Sequence, residues 1–277
     1  MDAFSLPATC RISTHARHRV ATVAVREHAL IWVHRGKKTL ISSGLERVFQ
    51  GGDAMVLYQG TQWDVINDPL PDVRYEATVL QFGDSALAAF AAQVPAGPAL
   101  AAGGSVGLAM DDELADAVRR TVEILARADA SPHLRLHRTV EVLLLLSERG
   151  CRLEPRVELA WPDRLRRLVA QQPHVDWSVD MLAKAFHMSA STFRRRMASV
   201  GCRVGDVVRE TRLETGLVLL QTTTMAVGEI ALRCGYESHS RFTAAFRARF
   251  GFAPSDLRTP AGETALRDRA QELTLAG

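Results

Sequence analysis

The run Met188-Ser-Ala-Ser-Thr-Phe-Arg-Arg-Arg-Met197 constrains this chain more than any other stretch. Ser189 suits an N-cap, because its hydroxyl can accept a hydrogen bond from an orphan backbone N–H of the first turn. At helical spacing Ala190, Phe193 and Met197 share one face, while Ser191, Arg195 and Ala198 lie opposite and Arg194 sits on the flank. One face packs; the other is small, polar and cationic. Upstream, Ser178 caps a segment with Val179, Leu182 and Phe186 in helical register, and only a short break separates the two. Two short helices with a tight joint and a basic second helix describe a helix-turn-helix, although an ordinary helical hairpin with solvated arginines fits this single unit equally well.

The pattern returns between Ile230 and Phe246. Ala231 parallels Ala183, Ser238 parallels Ser189, the Phe242/Phe246 pair parallels Phe193/Met197, and Gly251 follows as Gly201 does. An internal repeat argues for two equivalent docking elements. Between them Val204 to Gln221 carries Val207, Val208, Leu213, Leu217, Leu219 and Leu220 without a proline, which predicts one helix of about 25 Å at 1.5 Å per residue. Such a helix can hold two units at a fixed separation. Reading two successive major-groove faces requires recognition helices roughly 34 Å apart along the duplex.

On these residues, the stretch from Trp161 to Arg258 resembles the DNA-binding domain of the AraC/XylS family of bacterial transcription regulators. The resemblance is strongest over Glu229-Ile-Ala-Leu-Arg-Cys-Gly-Tyr-Glu-Ser-His-Ser-Arg-Phe and Phe246-Arg-Ala-Arg-Phe-Gly-Phe-Ala-Pro-Ser-Asp-Leu-Arg258. It implies base-facing positions at Ser191, Arg194 and Arg195 in the first unit, in agreement with the helical face derived above. In the second unit it implies His239, Ser240, Arg241 and Ala244, with Arg247 completing the DNA-binding set. The family usually carries a long polar or basic residue where this chain has Ala244, which assigns the second unit mainly to the DNA backbone.

The chemistry fits those roles. Arginine can present a bidentate fork to guanine O6 and N7, worth about 1–3 kcal/mol of discrimination, and neighbouring arginines bind phosphate and supply salt-dependent affinity. Arg195 is the leading candidate for base reading and Arg194 can share it. Arg196, nearer the packed face, suits a phosphate contact or a solvated position. His239, at a helix start, suits water or phosphate at least as well as a base.

Length and composition set the frame around this region. The 277 residues suffice for one large or two ordinary domains, and an apolar fraction of 47% with 23% charged residues is that of a soluble globular protein. No apolar run reaches membrane-spanning length and Met1-Asp-Ala-Phe-Ser-Leu-Pro7 lacks a signal core, so a cytoplasmic protein without membrane contact is expected. Cys10, Cys151, Cys202 and Cys234 are scattered, which indicates neither a zinc site nor a disulfide framework. Lys plus Arg against Asp plus Glu is 17 against 19 over 1–160, 15 against 9 over 161–260, and 2 against 3 in the tail. The basic excess therefore lies where nucleic acid is expected to dock.

The N-terminal half reads differently. Strand character appears at Val20–Val25, Ala29–Val33, Thr39–Ile41, Leu45–Phe49, Ala54–Tyr58 and Tyr75–Phe82, with glycines at 36, 44, 51, 52, 60 and 83 as punctuation. This predicts a small antiparallel barrel or sandwich. Gly52 to Asn67 resembles the second cupin motif, except that Trp63 stands where a metal-binding cupin has histidine, and His15, His18, His28 and His34 lack the spacing of the first motif. No metal, no cofactor and no enzyme activity are expected. Trp32 and Trp63 are candidates for an effector pocket, with simple core packing as the competing reading.

After the barrel, Asp84 to Gln93 predicts a short helix, Pro95 to Ser105 a flexible surface loop, and Asp111 the cap of a helix with Leu114, Val118, Val122 and Leu125 in a stripe. Pro132 to Arg149 adds a second helix with Leu136, Val140, Leu143, Leu144 and Ser147. The two stripes either pack on the barrel or form the dimer contact that the resemblance implies. The expected fold is α+β in two domains: a cupin-like barrel with flanking helices (1–152), a linker (153–160), an all-α double helix-turn-helix (161–260) and a tail (261–277). The resemblance implies a sequence-specific transcription regulator, an activator by the commoner family role, with double-stranded promoter DNA and RNA polymerase as partners. Its N-terminal domain would act through a small-molecule effector, a regulatory protein or a homodimer. The competing class is a metal-free cupin-like binding module with only incidental DNA contact; a cupin enzyme ranks third.

Overall fold

The central strands of the first half are apolar at nearly every position because both faces of their sheet are covered. A computed structural model describes residues 9–42, 44–71, 73–94, 104–154 and 160–258, and the chain divides into two compact units, 1–156 and 157–277. In the first unit, β1 (Thr9–Thr14), β8 (Tyr75–Phe82), β3 (His28–Arg35), β6 (Ala54–Leu57) and β9 (Ser105–Leu108) form one antiparallel sheet in that order. The second sheet runs β2 (His18–Ala24), β7 (Gln62–Asp68), β4 (Lys37–Ser42), β5 (Leu45–Gln50). Strand parity sorts the side chains. Leu30, Val56, Leu80 and Phe82 face a helical layer, whereas Ile31, Val33, Met55 and Ala77 face Trp63 and Val65 of the second sheet. Among the described residues no helix contributes to the core on which the second sheet packs, and β7 alternates buried with partly or fully exposed residues.

The helical layer is α1 (Asp84–Ala91), α2 (Asp112–Ala126) and α3 (Pro132–Glu148). Asp111 caps α2 by accepting from the Leu114 amide at 2.9 Å, and Ser131 caps α3 ahead of Pro132. Leu114, Val118, Val140 and Leu143 are buried against the first sheet, with Val122, Leu125, Leu136 and Leu144 packed beside them. Leu114, Val118, Val140 and Leu143 thus close the outer face of the first sheet, while Val122, Leu125, Leu136 and Leu144 of the same stripes stay partly exposed. Leu153 is buried in the same core and the Glu154 carbonyl is hydrogen-bonded to His28, at the front of the expected linker. Residues 155–159 of that linker, 95–103 of the expected loop and the tail 261–277 lie outside the described residues.

Sequence patterning left out three strands. β1 and β9 are short edge strands, β9 beginning at the residue where the loop was expected to end, and β7 lies within the cupin-like motif. In the second unit, α4 (Trp161–Gln171), α5 (Val179–Ala185), α6 (Ala190–Ser199), α7 (Val204–Thr222), α8 (Val227–Arg233) and α9 (His239–Phe250) are followed by a 3-10 turn at Pro254–Leu257. Helix α7, about 28 Å long by its rise per residue, packs against α4 on one side and α8 and α9 on the other. None of the described helices is long and apolar enough to cross a membrane.

Candidate nucleic-acid interface

Helix α6 is oriented by the residues it hides. Ser178 accepts from the Met181 amide and Ser189 from the Thr192 amide, both at 3.2 Å, so both helices of the first unit start where their caps are. Phe193 and Met197 are fully buried with Leu165 and Val169 of α4 and Val207 of α7, and the Phe186 ring stacks on Phe193 at 5.8 Å. With that face committed, Ser191, Arg194 and Arg195 are exposed. Among the described residues neither arginine has an acidic partner, so no ion pair must be broken before they meet an anion. Arg196 is also exposed, but its guanidinium lies over the Trp161 ring, 4.6 Å from the centroid, and that of Arg164 lies 4.9 Å from the same centroid.

The second unit repeats the geometry with one residue more in its turn. The Met188 amide bonds to the Ala183 carbonyl at 3.0 Å and the Tyr236 amide to the Ala231 carbonyl at 2.9 Å, so each first helix closes the same way. Both closures need a left-handed residue: His187 with φ 54° in the first, Gly235 with φ 76° in the second. Ser238 caps α9 by accepting from the Arg241 amide. Phe242, Phe246 and Phe250 are buried, their rings in contact at 5.5 and 4.5 Å. His239, Ser240, Arg241, Ala244 and Arg247 are exposed. Arg241 is paired with Glu237 one turn back, an exposed contact that is cheap to exchange for another anion.

The residues that join the two units were not singled out by motif. Gly216 on α7 has no side chain because the Phe242 ring occupies its place; a Cβ there would lie 2.8 Å from two ring carbons. Arg212, one turn earlier, donates to the Pro173 and Val175 carbonyls at 2.9 and 3.0 Å and lies against Gly235, tying the α4–α5 connection to the second turn. Arg249 of α9 bonds Glu210 of α7 at 2.5 Å, and Arg258 donates to the Leu220, Thr223 and Met225 carbonyls at the end of α7. An arginine that caps carbonyls reads in the sequence like any solvated cation. Only the matched positions of His187 and Gly235 in the repeat carry a signal for the turn.

In the N-terminal unit, residues 1–156, the two tryptophans are not brought together. Trp63 is buried between the sheets, its indole N–H donating to Thr61 Oγ1 at 3.0 Å. Trp32 faces the helical layer on the other side of the first sheet, 4.6 Å from the His34 ring. The shared effector pocket is thus corrected by strand parity. A cleft of about 790 Å³ opens instead among His34, Arg35, Lys37, Gln50, Asp68 and Leu70. Between the sheets, Lys38 is fully buried and donates to Asn67 Oδ1 at 2.7 Å. Burial brings its amine down to about 7, and burial likewise brings His18, on the other side of Asn67, to about 4. Burial pushes the Cys234 thiol up to about 11.

This arrangement, two helix pairs whose second helices are each serine-capped, bury an aromatic face and expose a basic one, defines a tandem helix-turn-helix. A family model described as a helix-turn-helix domain matches residues 182–259. The HTH-type transcriptional regulator MtrA of Neisseria gonorrhoeae is 32% identical over 108 residues, 37% of this chain and 36% of that protein. The virulence regulon transcriptional activator VirF of Yersinia enterocolitica is 30% identical over 155 residues, 52% of this chain and 56% of VirF. The chain thus spans only about a third to just over half the length of these curated relatives. Fold similarity reaches further: a crystal structure of ToxT from Vibrio cholerae with bound unsaturated fatty acid aligns over 92% of this chain and 95% of that one, with TM-score 0.55 at 13% identity. Residues 182–259 are therefore similar to the helix-turn-helix domain of transcription regulators such as MtrA and VirF, and residues 1–156 have a cupin-like arrangement of antiparallel sheets within a fold similar to that of ToxT.

Proposed function

We propose that the chain is a sequence-specific transcription activator that docks on promoter DNA through α6 and α9 and is controlled through its first unit. One observation carries this reading: both units of the repeat bury their aromatic face and expose a basic one, on a single helix that fixes them together. Arg195, Arg194 and Ser191 face the bases from α6, while Arg196 contacts the sugar-phosphate backbone nearby. His239, Ser240, Arg241 and Arg247 hold the backbone from α9, where the short Ala244 leaves no side chain to reach a base. As an activator, the bound protein contacts RNA polymerase.

The test is selection of bound genomic fragments by the full chain, then footprinting of the selected site with wild type and Arg195→Ala. A protected site spanning two adjacent major-groove faces, weakened about 5- to 150-fold in the variant, supports the reading. Weak, sequence-indifferent binding that the substitution does not change returns the chain to the cupin-like binding module.

Control by a small molecule enters, on our reading, at the open cleft of the first unit. Arg35 and Lys37 supply cations, Leu70 and Val73 supply apolar surface, and Asp68, 3.5 Å from both Arg17 and Lys37, balances part of the charge. This is the chemistry of an amphiphilic carboxylate, the class of ligand bound in the ToxT structure. An unsaturated fatty acid should change DNA binding by wild type and not by Arg35→Ala; indifference of the wild type removes the assignment.

A further inference from the structure

Arg196 is the one cation of α6 that leans away from the base-facing surface, and what it leans on is informative. Trp161 stands at the first position of α4, half-buried, its ring edge-on to Phe186 at 5.6 Å and thereby keyed to Phe193 in the core. A ring held in this way is a rigid platform. The guanidiniums of Arg196 and Arg164 both lie within 5 Å of its centre, one from the recognition helix and one from α4. Two like charges lie against one ring, and among the described residues Arg196 has no acidic partner. A guanidinium placed over an aromatic face satisfies its π surface and leaves its in-plane N–H donors for an acceptor beyond the ring. Arg166, salt-bridged to Asp163 at 3.0 Å, shows the arrangement that contrasts with that of Arg196.

We propose that Trp161, Arg164 and Arg196 form a phosphodiester clamp, in which the tryptophan positions two guanidiniums on the DNA backbone and so fixes how deeply α6 enters the groove. The inference rests on the DNA-binding reading above and adds to it a site that reaches from α6 onto α4. Trp161 is a positioning residue and touches no base. Because phosphate contacts carry no sequence information, the clamp supplies affinity and register while Arg194 and Arg195 keep the discrimination.

The experiment measures binding of the full chain to its selected DNA site, and to single-base variants of it, as a function of salt for wild type, Arg196→Ala, Arg164→Ala, Trp161→Leu, Trp161→Phe and the Trp161→Leu/Arg196→Ala pair. Each arginine variant should lower the log–log salt slope by about 1 and weaken all base variants equally. Trp161→Leu should weaken binding roughly threefold to tenfold and cost little more when Arg196 is already alanine. Trp161→Phe, which keeps an aromatic platform, should recover most of the affinity and excludes a trivial loss of fold. Unchanged slopes in both arginine variants, an altered base preference, or additive losses in the double variant overturn the clamp while leaving DNA binding standing. Absence of salt-dependent, site-specific binding in wild type overturns both.

Discussion

Gly235 and Lys38 show how much single side chains decide. Gly235 takes the left-handed turn of the second unit and sits so close that an added Cβ would lie 2.7 Å from the Pro173 carbonyl oxygen and 2.9 Å from the Arg212 guanidinium carbon. Gly235→Ala should therefore cost about 3 kcal/mol, combining left-handed strain with overpacking, and denaturant titration would detect it. Lys38 acts through pH. Its folded amine titrates near 7 against 10.5 in the unfolded chain, so between those values the unfolded state holds the extra proton and folding strengthens as pH rises. It follows that Lys38→Met should flatten the stability gain between pH 7 and 10, by at most about 1.4 kcal/mol per pH unit. The His18 imidazole works in the same direction at acid pH: with a folded value near 4 against 6.5, stability falls as pH drops from 6.5 towards 4. An unchanged slope in His18→Gln would contradict that assignment.

At the scale of elements, α7 determines how the two helix-turn-helix units share one domain. Its Gly216 admits the Phe242 ring, which is itself fully buried and has no room to withdraw. Alanine would raise helix propensity by about 1 kcal/mol, yet the clash should outweigh this by roughly 1–2 kcal/mol and displace α9. The expected result for Gly216→Ala is lower stability with weakened contacts from α9 and intact base preference from α6, read by footprinting. The start and face of α6 were legible beforehand, because Ser178, Ser189, Phe193 and Met197 are local signals of cap and stripe. Its Trp161 platform was not legible, since it pairs residues 35 positions apart along the chain. Strands β1 and β9 escaped for a related reason: an edge strand of four to six residues is defined by its neighbour more than by its own alternation.

For the whole molecule, the relevant fact is that each unit has its own core. Phe193 belongs to the cluster around Leu165 and Val207, whereas Leu80, Leu143 and Leu153 belong to the first unit. Unfolding should accordingly depart from a single two-state transition. Phe193→Ala should cost about 3–5 kcal/mol and shift only one of two calorimetric transitions; a single transition moved as a whole would show that the units unfold together.

The sequence by itself determined the repeat, its caps, the basic face of α6 and the strand-rich character of the first half. These follow from periodicities of a few residues and from hydrogen bonds that close within one turn. Tertiary structure alone decided that Trp32 and Trp63 face opposite sides of a sheet, that the buried residues of α2 and α3 close that sheet, and that Arg212 and Arg258 cap carbonyls. It also decided that Arg196 rests on a ring of another helix. Each of these depends on groups brought together from distant parts of the chain, where the partner sets the role and the residue type alone does not.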